Sequence, residues 1–387
     1  MRTPSAPDQS VVSDFAGFAV AVERPGVAPV SSWRPVIFRL AADDASRFVA
    51  FCETHGIHRH DTIDRQLREL AAVRLPAASD ADRRRFVADT SASHEHPTAI
   101  GNWAYLPWKG TVVHLLDRDD FFDVITDRNR DKISREQQLR LRAKRIGVIG
   151  LSVGGEAAVT VAQEHLCGSI VLADFDSLDL SNLNRLDAGI ADLGLNKAVI
   201  VARRVLEIDP YLDVTIFEDG VTDANVASFL DGLDLLVEEC DGLRIKHHIR
   251  SLARERRIDI VFAGDERGFI SIEPHGHTPD LPIFHGRITE PPLPREEYAT
   301  PLDFMKALAE WLGGWDQISD VSRRSLEQLG TTLCGYPQLA GEARYAAGQV
   351  AHVARRLLLG ERIPPFIGHL DLDRLIPSGP ASGLRTP

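Results

Sequence analysis

The stretch from Lys144 to Arg185, KRIGVIGLSVGGEAAVTVAQEHLCGSIVLADFDSLDLSNLNR, constrains the fold more than any other part of the chain. A short run of Ile, Val and Gly leads into a glycine turn. The turn opens a segment with apolar residues at helical spacing, and a second apolar run follows and ends in acids. Strand, tight turn, helix and strand in that order make a crossover unit whose strands lie parallel. The runs DVTIFE, LDLLVEE and IDIVFAG continue the pattern, separated by the helical stretches NKAVIVARRVLEI, DANVASFLDG and RIKHHIRSLARERR. Near-continuous Val, Ile and Leu is the composition of strands covered on both faces. The expectation is therefore an α/β fold with a mostly parallel sheet and helices on both sides.

Three segments are expected: 1–118, 119–278 and 279–387 of the 387 residues. The first is a smaller mixed α/β region. It begins with a Pro/Ser-rich arm to about Pro35, expected to be partly mobile, and ASRFVAFCETHG and TIDRQLRELAAVRL read as helices. WAYLPWKGTVVHLL reads as a strand pair turning at Lys109-Gly110, and PAASDADRRRFVADTSASHEH as linker with one short helix. The third segment joins the proline-rich TEPPLPREEYATP to helices in LDFMKALAEWLGG, QISDVSRRSLEQLG and LAGEARYAAGQVAHVARRLLLG, the last expected to pack on the sheet. The tail SGPASGLRTP reads as disordered.

Bulk properties narrow the function. A net charge of −12 argues against a nucleic-acid or anionic-membrane partner. No apolar run reaches the roughly 18 residues a membrane span needs, and the first residues lack a signal-peptide core, so a cytoplasmic protein is expected. Cys52, Cys167, Cys240 and Cys334 form no CxxC pair, so neither a disulfide framework nor a four-thiolate zinc site is expected.

The turn holds Gly150, Ser152, Gly154 and Gly155, and backbone amides at such a helix start can face an anion. The same turn also serves tight packing alone. Ser152 stands where a dinucleotide-binding turn has its second glycine. Asp174 ends the next strand about two dozen residues on, the position from which an acid binds ribose hydroxyls. After it come Asp176, Asn182 and Arg185, in a loop at the carboxyl edge of the sheet. Asn and Asp are common in turns, but a turn role does not explain Arg185. Nor does it explain Lys197 at the start of a helix, where a cation opposes the helix dipole and a bound anion would account for it.

These residues resemble the ThiF/MoeB family of adenylyltransferases, bacterial relatives of ubiquitin-activating enzymes. The family signature is a glycine turn, D-x-D-x-V-x-x-S-N-L-x-R, a lysine soon after and an aspartate beyond the fourth strand. Here DFDSLDLSNLNR, Lys197 in GLNKA and Asp241 in EECDG match it, and RNRDKIS resembles the arginine-bearing entry segment. The resemblance spans roughly residues 125–275 and implies a Rossmann-like domain that binds ATP and Mg²⁺. In that reading a substrate carboxylate attacks the α-phosphate, releasing pyrophosphate and leaving an acyl adenylate. It implies Gly150, Ser152, Gly154, Gly155, Asp174, Asp176 and Asn182 around the nucleotide, with Asp174 at the ribose. Asn182, Arg185, Lys197 and Arg130 hold phosphates, and Asp241 positions the metal. Arg130 would reach ATP from a partner subunit, which implies a homodimer.

One departure is the absence of the family's two CxxC pairs, so no zinc is expected. Some relatives use a cysteine as a carrier. Cys334 has no supporting motif and, like Cys240, reads first as packing. His55, His58 and His60 read as surface residues. Lys246, His247 and His248 read first as a solvated helix face and otherwise as lining the substrate side, and Arg267 as either a substrate contact or an internal partner of Asp265 or Glu266. The substrate is a carrier-protein or peptide C-terminus, or a small acid. The competing readings are an NAD(P)-dependent oxidoreductase and a non-catalytic nucleotide-binding scaffold for a partner enzyme.

Overall fold

The computed structural model describes residues 13–23, 32–293, 297–311, 314–315 and 318–376. The tail 378–387 and much of the N-terminal arm lie outside them. The chain divides into two compact units, 1–140 with 162–165 and 202–215, and 141–161 with 166–201 and 216–387.

The first unit is built on a four-stranded sheet of β1 (Val36–Phe38), β2 (His58–His60), β3 (Asn102–Leu106) and β4 (Thr111–Leu115), in the order β1-β3-β4-β2. The expected hairpin is β3–β4, antiparallel, with Gly110 at φ 53° in its turn. The expected helices are α2 (Ala45–Thr54) and α3 (Ile63–Arg74). The expected short helix is the 13-residue α4 (Asp80–Ala92), N-capped by Ser79, whose hydroxyl accepts from the Asp82 N–H. The described part of the arm holds α1 (Phe15–Glu23), because Phe15 and Phe18 anchor it in an aromatic core. Phe18 stacks on Phe38 with ring centroids 4.4 Å apart. Two further helices are α5 (Arg118–Ile125) and α6 (Arg135–Arg142).

The second unit carries most of the large sheet, residues 213–215 of its edge strand being counted with the first. Its strands are β5 (Arg145–Ile149), β6 (Ser169–Ala173), β7 (Asp213–Phe217), β8 (Leu235–Glu238), β9 (Asp259–Ala263), β10 (Phe269–Glu273) and β11 (Phe366–His369). They run in the order β11-β10-β9-β8-β5-β6-β7. β5 pairs in parallel with β6 and β8, and β8 with β9, as the continuous apolar runs require. The helices are α7 (Val153–Gln163), α8 (Lys197–Ile208), α9 (Val226–Phe229) and α10 (Leu243–Glu255), then α11 (Pro301–Trp311), α12 (Asp320–Gln328), α13 (Ala340–Leu358) and α14 (Leu372–Leu375). α13 packs on β8, β9 and β10 through small residues such as Ala343, Ala347 and Ala354, which let helix and sheet approach closely.

β10 and β11 are antiparallel additions that the sequence reading did not anticipate. Arg267 and Gly268, at φ 51° and 63°, reverse the chain between β9 and β10. A core of Ile149, Val171, Leu236 and Ile260 with Phe229, Ile249 and Ala253 fills the space between sheet and helices.

Candidate functional site

The chain leaves β5 toward β6 on one side and returns to β8 on the other. Loops at the carboxyl ends of β5 and β8 therefore diverge and leave a crevice. Gly150 ends β5 at φ 81°, and a Cβ there would lie 2.5 Å from the Glu239 carbonyl carbon, so only glycine fits. The Leu151 N–H donates to Asp174 Oδ2 at 2.6 Å and the Asp176 N–H to Asp174 Oδ1 at 2.8 Å. Asp174 thus ties the glycine turn to the end of β6, and α7 starts from the braced turn. Burial raises the Asp174 carboxyl above the ordinary aspartate range, although both backbone hydrogen bonds oppose the shift.

The loop after β6 folds into a short 3-10 turn, Leu180–Asn184, where Asn182 Oδ1 accepts the Asp179 N–H at 3.0 Å. Arg185 follows, its Nη1 donating to Ser181 O at 3.2 Å and Asn184 Oδ1 at 2.9 Å. Its Nε is buried and has no hydrogen-bond partner. Burial weakens the hold of this guanidinium on its proton, while Asp265 and Asp241 strengthen it. Lys197, 8% exposed at the start of α8, pairs with Asp176 Oδ2 at 2.8 Å.

These groups surround a cavity of about 460 Å³. Of the expected site residues, Ser152, Asp176, Asn182, Arg185, Lys197 and Asp241 line it. Gly150, Gly154, Gly155 and Asp174 form the turn and its brace. Arg130 belongs to the other unit, where its Nε pairs with Asp127 Oδ1 at 3.0 Å. The cavity is polar, with Arg185 and Lys197 as cations and Asp176, Asp179, Glu239, Asp241 and Asp265 as acids in its lining. Asp241 opens to the cavity, yet crowding by protein strips enough water to raise its carboxyl, with Lys246 and Lys197 opposing. Asp265 is raised by burial too, and Gln338 Nε2 donates to its Oδ2 at 2.7 Å.

A second cavity, of about 490 Å³, adjoins the first. Phe262, Gly264, Asp241, Asp265 and Gln338 belong to both walls. Its remaining walls are mostly apolar side chains from α11, α12 and the segment after it.

Several sequence readings need correction. Lys246 is not on a solvated face: it is 1% exposed, with Nζ 2.9 and 3.0 Å from the Glu238 carboxylate oxygens. Lys246 and Arg250 lie one helical turn apart on the buried face of α10, and Glu238, at the end of β8, bridges them. Arg267 has an internal partner that the sequence did not suggest, Asp371, at 2.6 Å. Cys334 is exposed and lines the second cavity instead of packing in a core. Cys240 packs against the core between sheet and helices, as expected, and its thiol donates to Glu238 Oε1 at 2.9 Å. His55, His58 and His60 are exposed, as expected. The sequence reading missed Glu239 and Gln338, whose contributions depend on loops meeting in space.

The residues suit a nucleotide triphosphate better than a structural metal. The buried orphan N–H of Arg185 asks for an acceptor, and Lys197 has a carboxylate it can exchange for a phosphate. Among the described residues, no group of three or more His, Cys, Asp or Glu is placed to hold a metal ion. A magnesium ion held by one or two carboxylates and by phosphates needs no such group. No described helix is long and apolar enough to cross a membrane.

Residues 126–273 match the model of the ThiF family. Among curated proteins, the uncharacterized protein MT1398 of Mycobacterium tuberculosis is 41% identical over 277 residues, 70% of this chain and 39% of that protein. The tRNA threonylcarbamoyladenosine dehydratase of Escherichia coli is 34% identical over 139 residues, 35% of this chain and 52% of the enzyme. The chain thus spans only about two fifths to a half of the length of these curated relatives. Among solved structures, the Escherichia coli tRNA N6-threonylcarbamoyladenosine dehydratase aligns over 61% of this chain and 94% of its own, at 20% identity and a TM-score of 0.43.

Proposed function

We propose that this chain, in which residues 126–273 form a ThiF-family domain, adenylates a substrate carboxylate with ATP and Mg²⁺. Proteins of the ThiF/MoeB superfamily generally use ATP to activate a carboxylate. The observation that carries the reading is the buried, unpartnered Nε of Arg185 beside Lys197 in the wall of the polar cavity.

The substrate carboxylate oxygen attacks the α-phosphorus and forms the new P–O bond. The bond from that phosphorus to the bridging oxygen breaks, and pyrophosphate leaves with the electron pair. Such a displacement needs alignment and charge neutralisation rather than a protein nucleophile. Lys197 leaves Asp176 for a phosphate, Arg185 fills its open donor, and Asn182 adds an amide. Asp174 keeps the turn in place and has lone pairs remaining for a ribose hydroxyl. Asp241, near enough to Asp265 to disfavour its ionisation, would hold the magnesium ion, whose charge would offset that of the phosphates. Arg130 acts from a second copy of the chain, making the active species a homodimer. The site lies in the cytoplasm, and its partner is a carboxylate rather than a nucleic acid or a membrane.

The test is exchange of labelled pyrophosphate into ATP, with small proteins, peptides and small acids offered separately. Exchange that Asp241→Ala abolishes in a folded protein supports the reading. ATP binding without exchange in any arm would replace it with a scaffolding role. Micromolar NAD binding in competition with ATP would point to the oxidoreductase.

A further inference from the structure

We propose that the apolar cavity beside the nucleotide cavity holds the body of the substrate, and that the substrate is a monocarboxylic acid with an uncharged, largely apolar body. The inference rests on the adenylation reading and narrows it.

The two cavities share Asp241, Phe262, Gly264, Asp265 and Gln338. A molecule with its carboxylate at this common wall reaches the phosphates on one side and must place everything else on the other. The volume of about 490 Å³ falls in the range of small-molecule sites. Its sides are apolar: Phe304, Met305 and Leu308 from α11, Leu326 from α12, and Leu329 after it.

The base is an aromatic corner. Trp311 meets Phe262 at 4.4 Å and Phe269 at 5.5 Å between ring centroids, both edge-on. Lys246 Nζ sits 4.3 Å from the Phe262 centroid and 4.7 Å from that of Trp311 while bound to Glu238, so this cation is already neutralised. Trp311 is 1% exposed, and its buried indole N–H has no acceptor.

The remaining charged groups are acids. Asp241 and Asp265 stand at the common wall, and Glu266 is held by the Ser319 N–H at 2.8 Å, by Ser322 Oγ and by the Tyr336 hydroxyl at 3.1 Å. With no cation to spare among the described residues that line it, the cavity disfavours a second carboxylate, a phosphate or an acidic peptide. A neutral apolar chain or ring meets no such penalty and gains from leaving water.

The test uses the full chain and two readouts. Pyrophosphate exchange is measured with straight-chain and phenyl-substituted monocarboxylic acids of about six to twelve carbons, with the matching dicarboxylic acids, and with a peptide ending in a free carboxylate. ATP affinity is measured beside it. Met305 and Leu308 are only half-buried, so Met305→Trp and Leu308→Trp fill the cavity from its edge with little risk to folding. We expect exchange with the apolar monoacids and little with the diacids. Each tryptophan should cut kcat/KM for the longest acids about tenfold, spare the shortest and leave the ATP Kd within about twofold. Exchange with the peptide alone would overturn this inference and leave adenylation standing. Exchange with apolar acids that neither tryptophan affects would also overturn it. No exchange in any arm, with ATP bound, would remove the adenylation reading and this inference with it.

Discussion

Asp174 and Leu151 are 23 residues apart, yet the carboxylate of one receives the backbone N–H of the other at 2.6 Å. The acid that closes β6 therefore sets the path of the chain as it leaves β5. Asp174→Asn replaces one acceptor by an N–H₂ that faces a donor. The expected cost is about 1–3 kcal/mol of stability in urea unfolding, together with weaker ATP binding. An unchanged unfolding midpoint would mean that the brace is dispensable.

Gly150 and Gly154 should respond differently to alanine. At Gly150 the added carbon meets backbone at 2.5 Å in a left-handed conformation, whereas at Gly154 it meets the side chains of Val148 and Glu239 at 3.1 and 3.2 Å. Gly150→Ala is expected to cost about 1–3 kcal/mol from strain, before the clash, and to abolish ATP binding. Gly154→Ala should cost less and reduce binding only in part. Thermal unfolding with an ATP titration of both variants checks the order.

Lys197 and Asp176 form a resting pair in the nucleotide cavity. Lys197→Ala should lower pyrophosphate exchange by about a hundredfold or more, with the fold retained by circular dichroism. Asp176→Asn frees the lysine, and its effect on ATP affinity should be small or favourable. A large loss there would show that Asp176 contacts the nucleotide itself.

Glu273 is buried beside Arg250. Burial alone would raise its carboxyl, but the Arg250 guanidinium outweighs this and holds it below the ordinary glutamate value. A lowered folded-state pKa contributes stability above the unfolded value near 4.5, and that stability is lost as pH falls through the folded value. Glu273→Gln should flatten the acid limb of the stability–pH curve below about pH 4.5. It should also cost about 3–5 kcal/mol at neutral pH, because Arg250 loses a buried partner. Urea titrations between pH 3 and 7 of both proteins read both effects.

Arg130 and Asp241 should complement across subunits. Arg130→Ala and Asp241→Ala are each expected to be inactive. Mixed after unfolding together and refolding, they should regain part of the exchange activity, because a hybrid dimer carries one intact site. Activity that stays at the single-variant level would place Arg130 outside its neighbour's site.

The parallel strands were readable because each is covered on both faces, and a continuous apolar run records that. β10 and β11 were not, since FISIE is equally apolar and its direction is set by the left-handed Arg267-Gly268 reversal. Site residues within one connected stretch, from Gly150 to Lys197, could be seen in order. Glu239, Gln338 and the walls of the apolar cavity could not, because they meet only when separate loops converge. Lys246 misled because its partner Glu238 is on a strand, and helical spacing says nothing about what lies opposite.

The wall common to the two cavities has a kinetic consequence. Its two aspartates repel an anion that arrives while they are bare, and under the proposed function a magnesium-bound nucleotide would turn that repulsion into attraction. The acid should therefore enter second, giving a compulsory order of addition in steady-state kinetics. The chamber intended for it would then stay closed to stray carboxylates until the means to activate one is in place.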